Sequence, residues 1–200
     1  MPRSRVAAVI LAAGQSSRMG CNKLVLEIGG KPMLRHVAEA ANTSRAHPVV
    51  AVVGNDSAIV IRTLEGLDVV IVENPAFGIG MSSSIRAGIA ALPQTIDAAL
   101  ILLGDMPAVS PLFIDKMIDE FESANGREIC LAAHNGRHGH PVLFARRYFP
   151  NLLKLDGDVG ARSVVAEYST DVFEVESDGN GPLVDIDTPG ALATFRALLL

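Results

Sequence analysis

The chain has 200 residues, 49% hydrophobic and 20% charged, enough apolar material for the core of one domain spanning residues 1–200 and too much for a disordered tail. Seventeen basic against 22 acidic side chains leave a net charge of −5, which argues against a broad nucleic-acid-binding face and leaves room for a local basic pocket. Two cysteines, no tryptophan and 4% aromatic residues exclude a disulfide framework and a base-stacking platform, and no apolar run has the length of a membrane span. A reducing, cytoplasmic setting is the expectation.

Arg3 and Arg5 stand ahead of the apolar run 6–13, which gives the outline of a signal peptide. The run is short and a glycine-bearing loop follows it directly, so we read a buried parallel strand over 6–12 instead. Sequon matches at Asn42 and Asn55 are then chance. From there strands and helices alternate. Lys31-Pro32 opens an amphipathic helix to about residue 41, with proline in the first turn. Strands follow at 48–53, 68–72, 98–103 and 128–133, and helices at 57–64, 81–92 and 110–123, the last with Ser110 as its cap. Later the pattern loosens: strands at 140–145 and 171–175, antiparallel in expectation, flank two short helices. Asp187-Thr188-Pro189 starts a final helix. The alternation predicts an α/β fold, a mostly parallel central sheet with helices on both faces.

In such sheets ligands sit at the carboxyl ends of strands. Two segments there carry chemistry. After the first strand, Gly14 and Gly20 permit dihedrals that aim backbone amides at an anion, and Arg18 and Lys23 add positive charge, which suits a triphosphate. The spacing is neither a Walker loop nor GxGxxG, and a mobile loop with surface charges is the bland alternative. After the fourth strand comes Gly104-Asp105-Met106-Pro107. Asp105 and Asp187 both stand at element ends and could converge on one hard cation, although Asp187 could equally cap the last helix. Ser82, Ser83 and Ser84 at a helix start suit a ligand or serve as caps. His134, His138 and His140 lack partners that complete a zinc site, and lead into a substrate-facing strand instead. Cys21, among positive charges, is a candidate reactive thiol without an identified base, and Cys130 reads as core.

Leu11-Ala12-Ala13-Gly14-x-Ser16-x-Arg18-Met19-Gly20-x-x-Lys23 resembles the signature of the MobA-like nucleotidyltransferases, nearest to their molybdenum cofactor cytidylyltransferase branch. Residues 80–84, 104–107, 139–142, the block Gly157-Asp158-x-Gly160-Ala161-Arg162 and 185–189 look like the family's further blocks, in order. The resemblance implies a Rossmann-like nucleotide-diphospho-sugar transferase fold. It implies transfer of CMP from CTP to molybdopterin with release of pyrophosphate and use of Mg2+. Ala13, where guanylyl-transferring relatives carry glycine, favours cytidine.

On that reading Arg18 and Lys23 hold the triphosphate and stabilise the departing pyrophosphate. Asp105 and Asp187 hold magnesium, with Asp185 as helper. Leu11, Ala12, Ala13, Gly14 and Ser84 contact the nucleotide, and His140, Gly160 and Arg162 face the pterin. Arg18, Lys23 and Asp105 are the expected catalytic residues. The pterin phosphate is already anionic, so charge neutralisation and positioning replace a general base. A molybdoenzyme or its maturation factor is the implied transient partner. The rivals are GMP transfer, transfer to another phosphorylated acceptor, and a non-catalytic carrier of cofactor or nucleotide.

Overall fold

The computed structural model describes residues 4–16, 19–123 and 128–197. β1 (Val6–Ala12) is followed by a hairpin of two short strands, β2 (Glu27–Ile28) and β3 (Lys31–Pro32), and by α1 (Met33–Thr43). Then come β4 (Val49–Val53), α2 (Ser57–Thr63), β5 (Val70–Glu73), α3 (Met81–Ala90), β6 (Ala98–Leu103) and α4 (Pro111–Ser123). The rest is β7 (Ile129–His134), β8 (Arg137–Ala145), α5 (Phe149–Leu152), α6 (Arg162–Glu167), β9 (Val172–Glu176) and α7 (Pro189–Ala197).

Seven strands form one sheet in the order β5-β4-β1-β6-β8-β7-β9. The first four pair in parallel, β8 runs antiparallel to both neighbours, and β9 is parallel to β7. The expected mostly parallel sheet is therefore present, but of the two late strands only β8 is antiparallel. Alternation along β1 sends Ala8, Ile10 and Ala12 into one core and Ala7 into the other. Helix α1 meets the first core with Leu34, Val37, Ala38 and Ala41, spaced three and four residues apart as one helical stripe. Helix α3 covers the opposite face and lies very close to it: a Cβ on Gly88 would stand 2.4 Å from Val9 Cγ1.

One helix start differs from the sequence reading. Lys31 and Pro32 pair with Ile28 and Glu27, and α1 begins at Met33. Proline is as compatible with a strand of two residues as with a first turn, so the residue type alone does not decide. Ile28 of the hairpin and Met33 of α1 then pack with Ile186 and Leu192, which docks α7 against the hairpin.

Chain order reverses at β1: β4 and β5 extend the sheet on one side and β6 on the other. A crevice opens at such a switch point, outside the strands' carboxyl ends. Residues 13–16 and Asp105 leave their strands there.

Candidate active site

Asp105 follows β6, and its carbonyl accepts the amide of Ile186 at 3.1 Å. That bond draws the segment 185–187 alongside. At the start of α7 the side chain of Thr188 serves as cap, its Oγ1 accepting the amide of Ala191 at 3.2 Å. The Lys23 ammonium donates to Asp105 Oδ2 and to Asp187 Oδ1. The three side chains are only 12%, 17% and 25% exposed, in the order Lys23, Asp105, Asp187. Burial alone would lower the Lys23 pKa, but the two carboxylates outweigh it and raise the pKa above the usual lysine value.

This junction forms one wall of a cleft of about 590 Å3. Leu11, Ala13, Gly14 and Ser84 line it as expected, together with Lys23, Asp105, Asp187 and Asp185. Ala12 does not line it; its side chain is buried in the core, one alternation step out of phase with the cleft. Arg18 lies outside the described residues. Gly20 has the positive φ, +68°, that the loop reading required, whereas Gly14 is not in the left-handed region. Gly14 contributes space instead, since a Cβ there would meet nothing within 4 Å. Ser16 holds the loop's far end by accepting the Lys23 amide at 3.2 Å.

The opposite wall is the start of α3. Ser83 and Ser84 both accept from Asn74 Nδ2, at 2.9 and 3.0 Å, and Ser83 also donates to the Gly80 carbonyl. Asn74 escapes the sequence reading, and Asp158, expected with its block to face the pterin, lines the first cleft instead. Asn74, at the end of β5, fixes the serine hydroxyls. Asp158 caps α3 from a distant loop, accepting the Met81 amide at 3.1 Å. No local pattern marks either contact, because both bonds join segments far apart or out of helical register. Gly80 allows the approach: its φ is +125°, and a Cβ would lie 2.7 Å from the Gly157 carbonyl oxygen.

A second cavity, about 730 Å3, abuts the first and shares Leu103, Arg162 and Asp185 with it. His140 lines it. Burial first, and then the nearby Arg162 guanidinium, push the His140 pKa down to about 4 against a smaller opposing pull from Asp185. The imidazole is thus neutral at pH 7. Gly160 lines neither cavity. Its φ is +63°, and it packs beneath Met81, where a Cβ would come within 2.9 Å of the sulfur. Of the other two histidines of this cluster, His138 also lines the second cavity, its Nε2 2.8 Å from Glu174, whereas His134 does not, its Nδ1 meeting the Ser177 carbonyl at 2.9 Å. Cys21 is exposed and Cys130 is buried in β7.

Two carboxylates converging on one cationic nitrogen test whether a divalent ion fits here. The ammonium stands in for a cation, and two carboxylates are a donor set that magnesium accepts when phosphate oxygens and water complete its shell. Among the described residues no group of three or more His, Cys, Asp or Glu could hold a metal. A cation at this point needs oxygens from a bound ligand, which a triphosphate provides.

A family model described as the MobA-like NTP transferase domain matches residues 8–172, a span that contains the Lys23–Asp105 pair and ends at the first residue of β9. The chain belongs to that family. As a MobA-like transferase it is an enzyme of nucleotidyl transfer with a nucleotide-diphospho-sugar transferase fold. It is 29% identical over 197 residues to a molybdenum cofactor guanylyltransferase of Vibrio cholerae, covering 95% of this chain and 91% of that one. It spans only 27% of a bifunctional GlmU protein from Cereibacter sphaeroides, at 30% identity. Among solved structures, Rv0371c of Mycobacterium tuberculosis superposes with a TM-score of 0.84 at 28% identity, covering 98% of this chain and all of that one. The same protein in complex with manganese superposes at 0.81, with 26% identity and the same coverage. A nucleotidyl transferase from Methanothermobacter matches at 0.84 and 25% identity, over 97% of each chain.

Proposed function

We propose that the chain transfers CMP from CTP to the terminal phosphate of molybdopterin and releases pyrophosphate. The observation that carries this reading is the pair of abutting cavities that share Arg162 and Asp185, one walled by Lys23, Asp105 and Asp187, the other by apolar side chains and a neutral His140. One cavity suits a charged triphosphate and the other a heterocycle. A phosphate oxygen of the acceptor attacks the α-phosphorus, the bond from that phosphorus to the bridging oxygen breaks, and pyrophosphate leaves. The attacking oxygen carries no proton at neutral pH, so no base is required.

Lys23, with Arg18, stabilises the triphosphate and the leaving group. Asp105 and Asp187 would hold a divalent cation, magnesium on this reading, which supplies charge neutralisation at the phosphates. The manganese complex of the mycobacterial neighbour supports a divalent ion of some kind. Arg162 stands between the two substrates, and His140 faces the acceptor. Residues 1–200 act as one catalytic unit, and a molybdoenzyme or its maturation factor receives the product.

The cytidine reading rests on the resemblance at Ala13, which lines the cleft and packs against Gly54, where an added methyl would come within 2.9 Å of its Cβ. GTP is the second reading, favoured by the names of the curated relatives in Vibrio cholerae and Pyrococcus horikoshii, both guanylyltransferases. Pyrophosphate release with magnesium, molybdopterin and each of CTP, GTP, ATP and UTP in turn separates them. Release with CTP alone is expected. Release with GTP alone reassigns the base, and no release with any nucleotide overturns the reaction.

A further inference from the structure

The second cavity has a charged group at its far end for which the reaction above has no use. Its floor is the sheet face where Leu131, Val142 and Glu174 stand in register across β7, β8 and β9. His138, His140 and Val142 of β8 all line the cavity, brought there by a strand whose register shifts between the pairings of Val142 with Leu131 and of His138 with Ala133. Helix α6 forms the roof with Val165 and Ala166, and Ala161 precedes it there. The result is a slot between a sheet and a helix, apolar in the middle, suited to a flat ring. His140 and Arg162 sit at the phosphate end. Glu174 sits at the other, its Oε1 accepting from His138 Nε2 at 2.8 Å.

The sheet order sets the scale. From β6, which delivers Asp105, to β9, which delivers Glu174, there are three strand intervals, or about 14 Å. A fused pterin with its phosphate arm is of that length.

We infer that Glu174 is a specificity-determining residue that recognises the pyrimidine edge of the acceptor's pterin, and that His138 positions it. The inference rests on the proposed reading of the acceptor. The 2-amino-4-oxo ring presents N3–H and an N–H of the 2-amino group side by side, and a carboxylate accepts both at once. One Glu174 oxygen already accepts a hydrogen bond from His138 Nε2, which biases the carboxylate's orientation without exhausting its lone pairs, both side chains being 54% exposed. A lumazine ring, which has a carbonyl oxygen in place of the 2-amino group, turns one attraction into a repulsion. A site built on such hydrogen bonds rejects the analogue that lacks them.

The experiment uses the full chain and two fluorescent probes, 6-hydroxymethylpterin and 6-hydroxymethyllumazine, titrated without nucleotide. Wild-type protein is expected to bind the pterin at least about tenfold more tightly, the worth of a charge-assisted hydrogen bond. Glu174→Gln is expected to bring the two affinities within about twofold and to raise KM for molybdopterin while leaving KM for the nucleotide where it was. A wild-type protein that binds both probes equally, or neither, overturns the inference without recourse to any variant. A Glu174→Gln protein that keeps the preference also overturns it. Failure of the underlying reading looks different: pterin is bound and discriminated, yet no nucleotide yields pyrophosphate with molybdopterin.

Discussion

The strands from β5 to β6 and those from β8 to β9 belong to one sheet but are built in different ways. The first group is wholly parallel, and β1 and β4 are buried on both faces, with every residue of β4 out of solvent. Three of its strands deliver the chemistry of the first cleft: Ala13 follows β1, Asn74, which holds Ser84, follows β5, and Asp105 follows β6. The second group contains the antiparallel strand β8, whose first four residues are exposed or half-buried and whose last five are buried. Its functional side chains lie within strands, on the sheet face, and the roof over them comes from α6. Loops at strand ends serve to grip phosphates with main chain and point charges. A sheet face under a helix serves to hold a ring. On the proposed reading, donor and acceptor are recognised by separate parts of the scaffold, and the two cavities meet at Arg162 and Asp185.

The sharpest test separates the two parts by function. Asp105→Ala is expected to reduce turnover by about a thousandfold or more, because it removes a carboxylate from the cation position and leaves Lys23 with a single partner. Pterin binding, measured by fluorescence, should survive unchanged, as should the thermal midpoint to within a few degrees. Chelation by EDTA should match the variant, and added Mg2+ should restore only the wild type. Near-normal activity in Asp105→Ala would remove the metal assignment.

The legibility of the sequence follows the same division. The strands 6–12 and 98–103 are legible to the residue, since a short apolar run between polar loops has few alternatives. Asp105 and Lys23 are legible because each stands in a compact motif right after a strand. The edge strand β5 begins at Val70 rather than at 68, where a half-exposed edge gives a weak pattern. Asn74 is illegible, and Asp158 is legible as part of its block but not as the cap of α3, since the partners of both in α3 are fixed by tertiary approach. Glu174 carries no signal at all: its meaning depends on β9 pairing with β7, which nothing local in residues 171–175 announces.

A stability change aimed at the second part comes next in size. A Cβ on Gly139 would stand 2.0 Å from the Pro182 carbonyl oxygen, a backbone atom that cannot turn aside. Gly139→Ala is expected to cost about 2–3 kcal/mol, read as a lower urea midpoint with an unchanged slope. The pterin affinity of the surviving folded protein should fall, because His138 and His140 flank the displaced residue, while nucleotide affinity holds. Equal losses of both affinities would show that the two parts are not separable.

His140 gives a pH-dependent version of the same comparison. Its pKa of about 4 in the folded protein lies below the ordinary 6.5, so the unfolded chain takes up this proton first as the pH falls. The contribution to stability is complete above pH 6.5, declines between 6.5 and 4, and changes no further below that. The whole step amounts to about 3 kcal/mol. Urea midpoints of the wild type and His140→Gln, measured from pH 7.5 to 4, should converge as the pH falls. Carboxylates titrate in both proteins, so the difference between the curves isolates the imidazole. Parallel curves would mean that His140 is solvated and that the acceptor cavity is wetter than its lining suggests.

The smallest effect concerns the seam where the loop of the second part closes on the first. Asp158 caps α3 across the cleft, and the Ser82 hydroxyl bonds the Asp156 carbonyl at 3.2 Å beside it. Asp158→Ala removes one cap and should cost about 1 kcal/mol of stability, comparable to Ser110→Ala at the start of α4, where the hydroxyl accepts the Phe113 amide at 3.2 Å. The two variants should differ in catalysis. Ser110 lies outside both substrate cavities, so its loss should leave KM values alone, whereas Asp158 lines the nucleotide cleft and its loss frees the start of α3 that presents Ser84. A rise of about threefold to tenfold in nucleotide KM is expected for Asp158→Ala only, the kinetic equivalent of about 1 kcal/mol of lost positioning. If both variants lose stability equally and neither changes KM, the seam is a structural cap like any other, and the nucleotide side of the cleft is set by β1 and β6 alone.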